Sequence, residues 1–178
     1  MYNKILVALD RSEMGKEVFE QALALAKTTG ANLMLLHVLS GEEEGSPYLP
    51  TISSFDYYPG VRGQSFEVYQ QQWEKFKNEC LEMLQAFCVQ ANTAGISTEF
   101  TQNLGSPGRS ICDLARSWGA DLIIMGRRGR SGLTEIFLGS VSNYVLHHAP
   151  CSVHIVHPKI CVKQPEVTKE SISTSSIS

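Results

Sequence analysis

Short, almost wholly apolar runs alternate along this chain with longer stretches whose apolar residues recur every three or four positions. KILVAL (4–9), NLMLLHV (32–38), DLIIMG (121–126) and CSVHIV (151–156) are of the first kind. A strand covered on both faces has no polar side to show, so it reads this way. STEFTQN (97–103) alternates instead, and its threonines and phenylalanine suit a weaker strand. Val18, Phe19, Ala22, Leu25 and Ala26 form one stripe, which predicts a helix over 12–29 with Ser12 as N-cap and Gly30 as stop. Tyr69, Trp73, Phe76, Cys80, Leu84, Phe87 and Ala91 predict a second helix over 66–94, closed by Gly95, with this stripe in the core. Ser106-Pro107 opens a third helix, serine as cap and proline in the first turn, burying Ile111, Leu114, Ala115 and Trp118. A short fourth helix is expected over about 140–148.

Strands alternating with helices predict an α/β fold, a doubly wound open parallel sheet with helices on both faces. One domain is expected over 1–158. The stretch 39–65 breaks the pattern with glycines and prolines, and it carries Tyr48, Phe55, Tyr57 and Tyr58. A loop this long is either a mobile insertion or a lid or partner surface anchored by its aromatics. After Pro158 the chain becomes rich in serine and threonine without core periodicity, so 159–178 is expected to be a disordered tail. No segment approaches the ~20 apolar residues of a membrane span, and the first apolar run is too short for a signal peptide. The expectation is a soluble, cytoplasmic protein.

Composition narrows the function. The 178 residues suit one domain with a sizeable core, and 43% hydrophobic with 19% charged residues is globular. A net charge of −3 excludes a general pull toward nucleic acid or acidic lipid, so any basic site must be local. The five cysteines are odd in number and include no C-x-x-C pair, which argues for reduced, mostly buried thiols. No ligand spacing recurs among the five histidines, so no metal site is expected from them.

The densest basic cluster, Arg127, Arg128 and Arg130, lies in MGRRGRSGLTEIFLGSVSN (125–143). Gly126 ends the most apolar strand, where ligands bind in open parallel sheets, and a residue without Cβ admits a ligand and allows positive φ. Gly129 allows the same three residues on. Gly139 and Ser140 precede the short helix, whose free N–H groups attract anions, and Ser140 adds a hydroxyl. These ingredients point to a phosphate site. The competing reading is a tight strand-to-helix connection with solvated arginines.

The spacing G-x₂-G-x₉-G-S, present as Gly126, Gly129, Gly139 and Ser140, resembles the ATP-binding motif of the universal stress protein family. KILVALDRSE, LLHV, GSPGRSICDLARSWGADLIIMG and APCSVHIV extend the resemblance over 3–157. It implies an adenine nucleotide alpha hydrolase-like fold with five parallel strands in order 3-2-1-4-5, and strands 1 and 4 adjacent at the switch point. It implies that Ala8 and Asp10 end the first strand, with the Asp10 carboxylate near the ribose, and that Val38 offers backbone groups to adenine. Met125 and Gly126 would flank the nucleoside, and Gly129, Gly139, Ser140, Val141 and Ser142 would surround the phosphates. Arg127, Arg128 and Arg130 are added from charge alone, Arg128 with the least support. Asp10 has two further readings: a ligand for Mg²⁺ accompanying the phosphates, or a cap before Ser12.

No G-K-[ST] occurs, and no histidine–carboxylate pair stands near the motif to activate water. The favoured expectation is therefore a regulator that binds ATP or another adenine nucleotide, with at most slow hydrolysis and no assigned catalytic residue. A sensor of AMP or cAMP, a nucleotide-using enzyme and a protein-interaction module independent of nucleotide are the alternatives. The last strand, 151–156, would be a sheet edge, and such edges invite pairing. The resemblance implies a homodimer through it, with Val153 and Ile155 near the twofold axis.

Overall fold

A computed structural model describes residues 1–41, 43, 45–47, 61–127 and 138–157. Its elements are β1 (Lys4–Leu9), α1 (Glu13–Thr29), β2 (Asn32–Leu39), α2 (Val61–Thr93), β3 (Thr98–Leu104), α3 (Pro107–Trp118), β4 (Leu122–Gly126), α4 (Ser140–His148) and β5 (Ser152–Val156). All strand pairs are parallel, and the sheet order is β3-β2-β1-β4-β5. The central strand β1 sets the register, with Ala8 opposite Leu36 on one side and Met125 on the other.

The period of two along β1 divides the core. Ile5, Val7 and Leu9 face α1 and α2, meeting Val18, Phe19, Ala22 and Leu84. Leu6 and Ala8 face the opposite layer, with Ile111, Cys112 and Ala115 of α3 and Val145 of α4. Each fully buried large apolar side chain contributes about 1.5–3 kcal/mol, so helices on both faces are what make nearly continuous apolar strands tenable. The Phe19 ring stacks on Phe87 with centroids 4.3 Å apart, which ties α1 to α2.

Helix ends follow the capping residues in part. Ser12 is the N-cap of α1 and accepts a hydrogen bond from the Gly15 N–H, and Gly30 ends the helix at φ 73°. Ser106 occupies the N-cap position of α3 with Pro107 following, but its side chain makes no capping bond, a correction to its expected role. Its carbonyl instead accepts the Ser110 N–H, and Gly105 before it adopts φ 137°. The long helix begins at Val61 rather than 66, so the end of the 39–65 stretch is helical. The helix outruns its own apolar stripe: Phe76, Cys80, Leu84 and Ala91 are buried, whereas Tyr69, Trp73 and Phe87 are half-buried. The rest of the 39–65 stretch, apart from residues 39–41, 43 and 45–47, and the tail 159–178 lie outside the described residues. Among the described residues no helix is long and apolar enough to cross a membrane.

Candidate functional site

The chain leaves β1 toward α1 on one face of the sheet, and β3 returns to β4 through α3 on the other. The connections therefore part at the carboxyl ends of β1 and β4 and leave a crevice there. A cavity of about 530 Å³ fills it. Ala8, Asp10, Val38, Met125, Gly126, Arg127, Val141 and Ser142 all line it. Gly139 and Ser140 form the N-cap and first residue of α4, but neither is part of that lining. Arg128, Gly129 and Arg130 lie outside the described residues.

Asp10 is held by two hydrogen bonds from Ser12. Its Oδ1 accepts the N–H of Ser12, at 3.1 Å, and the Ser12 hydroxyl. Ser12 is thus the cap and Asp10 its brace. Gly15 lets this turn close: a Cβ there would lie 2.2 Å from the Asp10 carbonyl oxygen. Sequence reading passed over Gly15, because nothing in the sequence marks a glycine in a first helical turn as a contact point.

Gly139 stands just before α4, as expected, and Gly126 serves helix packing as well as the cavity wall. Neither has a positive φ. A Cβ on Gly126 would lie 2.6 Å from Met14 Cγ and 3.3 Å from Val18 Cγ2. The missing side chain therefore lets α1 approach β4. The buried Ser142 hydroxyl donates to the Gly126 carbonyl at 3.2 Å, fixing α4 against the end of β4. The Arg127 N–H donates to the Val156 carbonyl, which closes the strand end.

On the β2 side the wall includes Arg11, Ser40 and Glu43, none of which the motif indicated. The Arg11 guanidinium pairs with Glu79 at 2.8 Å and lies 5.2 Å from the Phe76 ring. Glu43 is 7% exposed and lies beside His37, which is 1% exposed. His37 Nε2 is 3.0 Å from both carboxylate oxygens. Folding therefore makes the histidine–carboxylate pair that sequence reading did not find. The lone polar residue in the apolar run LLHV was its one trace. The pair stands at the end of β2, on the other side of β1 from β4 and α4, and Glu43 belongs to the same cavity wall. Cys80 is fully buried nearby, and burial, reinforced by the Glu43 charge, pushes its thiol up to about 12.

The profile of the Universal stress protein family matches residues 1–157. The chain belongs to the universal stress protein family. Universal stress protein Sll1388 of Synechocystis sp. is 42% identical over 155 residues, covering 87% of this chain and 97% of that protein. Among solved structures of this fold, hypothetical protein MJ0577 superposes with a TM-score of 0.68 at 25% identity, covering 90% of this universal stress protein and 99% of that chain. Two others, at 22% and 20% identity and TM-score 0.57, are a universal stress protein in complex with cAMP and one from Archaeoglobus fulgidus in complex with dAMP. They cover 88% and 86% of this chain and 97% of each of those chains.

Proposed function

We propose that this universal stress protein is a cytoplasmic regulator that binds an adenine nucleotide, ATP foremost, at the crevice between β1 and β4. The carrying observation is the cavity of about 530 Å³ at the switch point, lined by eight of the residues that the family motif and local charge single out. Its volume is that of a small-molecule site, which usually spans about 300–1,000 Å³. Val38 and Met125 supply apolar wall and backbone groups for the base, and Asp10 a carboxylate for the ribose. The N-terminus of the nine-residue α4, with Ser140 and Ser142, supplies N–H and hydroxyl donors for phosphates. The relatives solved with cAMP and dAMP support an adenine ligand.

Mg²⁺ would enter with the phosphates, and the competing role for the Asp10 carboxylate is to hold that ion, directly or through water, in place of the ribose. The His37–Glu43 pair lies at the base end of this arrangement, so hydrolysis is slow at most. The nucleotide state would instead set the shape offered to a partner, including a second copy of the chain paired along β5.

The test is calorimetric titration of ATP, ADP, AMP and cAMP into nucleotide-stripped protein, with mass spectrometry of the nucleotide released on acid denaturation. ATP is expected to bind, Ser140→Ala to weaken it by about tenfold, the worth of one charge-assisted hydrogen bond, and Gly129→Val to weaken it by adding a branched side chain where the ligand is expected to approach the backbone. Ser140 is exposed, so its replacement leaves the fold alone. Wild-type affinity in both variants overturns the phosphate assignment. A preference for AMP or cAMP makes the protein a sensor of those nucleotides. No binding by any of the four leaves a protein-interaction module.

A further inference from the structure

His37, Glu43 and Cys80 come from three separate places, the end of β2, the segment after it and the middle of α2. One ligand-type atom from each lies within 4.8 Å of the others, and all three residues are buried. Among the described residues this is the one such cluster. The surrounding hydrogen bonds do not satisfy it. Gln102 Nε2, which also donates to the Lys77 carbonyl, faces His37 Nδ1 at 3.5 Å. Nδ1 is then the acceptor and Nε2 carries the ring proton. That proton serves one carboxylate oxygen of Glu43. Oε1 also receives the Arg11 N–H at 3.4 Å, whereas Oε2, buried and likewise 3.0 Å from the one Nε2, has no donor of its own. A buried carboxylate oxygen left in this way is costly unless a cation or donor meets it.

We propose that His37, Glu43 and Cys80 form a binding site for one divalent transition-metal ion of the zinc class, held through Nε2, a carboxylate oxygen and Sγ. The donor set selects the ion. One imidazole, one thiolate and one carboxylate are the ligands of zinc, whereas Mg²⁺ and Ca²⁺ want oxygen alone. Bonds of about 2.0 Å to nitrogen and oxygen and about 2.3 Å to sulfur place tetrahedral ligand atoms roughly 3.3–3.6 Å apart. His37 and Glu43 already stand near that spacing, and closing the widest pair needs a shift of about an ångström. On binding, the Cys80 thiol proton leaves to solvent, the His37 ring proton passes from Nε2 to Nδ1, and three metal–ligand bonds form. A fourth position remains for water.

The site has a structural consequence. It ties residue 43, which follows β2, to the middle of α2, and Glu43 is part of the wall of the cavity. The ion therefore holds that wall in place whether or not a nucleotide is present.

The experiment uses the full chain, stripped of metal by chelation, without nucleotide. Co²⁺ is titrated in while the sulfur-to-cobalt charge-transfer absorption is recorded, and Zn²⁺ then competes in calorimetry. One equivalent of Co²⁺ should give the charge-transfer band, and Zn²⁺ should abolish it. Cys80→Ser should lose the band, and Glu43→Gln should keep it while weakening Zn²⁺ by more than about tenfold. Circular dichroism establishes that each variant is folded. No charge-transfer band in the wild type overturns the proposal, and so does a band that survives Cys80→Ser. Ser140→Ala should bind Co²⁺ as the wild type does, which keeps this result separate from the nucleotide reading.

Discussion

The Asp121 carboxylate shows how one side chain ties together distant parts of the chain. Its Oδ2 accepts the N–H of Asn3 at 2.8 Å and of Lys4 at 2.9 Å, joining the start of β1 to the turn before β4. These two donors hold its pKa below the ordinary value of 3.8. A carboxyl that is more acidic folded than unfolded adds stability above the ordinary value, and that stability is lost as pH falls through the lowered value. Urea denaturation of the wild type and Asp121→Asn should therefore differ by a constant amount at neutral pH, and the difference should shrink below pH 3.8. A difference that does not change with pH would show that the charge is not what the two N–H groups recognise. The sequence placed Asp121 inside a strand, as the first residue of DLIIMG. It could not show that its partners lie more than a hundred residues away.

At the scale of elements, the contact between α1 and β4 depends on what Gly126 lacks. Met14 Cγ and Val18 Cγ2 occupy the space a Cβ would take. Gly126→Ala should cost about 1–3 kcal/mol, as overpacking does. Met14→Ala removes the nearer obstacle, so the double variant should be more stable than the sum of the two single losses implies. Chemical denaturation of the four proteins measures that coupling, and strict additivity would sink the account. Elements themselves were legible wherever period and capping residue agreed, as in α1, where the stripe, Ser12 and Gly30 point to one helix. They were less legible at the start of α2. The stripe read from the sequence begins at Tyr69, so it left the first residues of the helix, which starts at Val61, unmarked.

For the whole molecule, the order β3-β2-β1-β4-β5 leaves β3 and β5 as edges. On β5 the half-buried Val153 and Ile155 pack against the layer of α3 and α4, while His154 points the other way to Gln21. A short edge of this kind, with apolar side chains still partly exposed, suits pairing with a second copy. Sedimentation equilibrium should find a homodimer, and Val153→Lys should shift it to monomer by setting like charges together near the twofold axis. A wild-type monomer at micromolar concentration would remove the edge from the functional account. If the dimer forms, each crevice stays in one protomer, since its lining comes from β1, β2, β4, α1, α3, α4 and the loops beside them.

The sequence by itself determined the class of fold, because a doubly covered strand must be apolar throughout and an amphipathic helix must repeat near 3.6. It also carried the candidate crevice, since glycine, serine and aspartate at strand and helix ends are local chemistry that spacing preserves. What only the tertiary structure decided is which distant residues meet. Gly15 against the Asp10 carbonyl, Gly126 against Met14, and His37 with Glu43 and Cys80 join elements whose separation along the chain carries no record of their contact. Each depends on how closely helices pack on the sheet. That distance is set by the whole core at once, and no single stretch of the sequence encodes it.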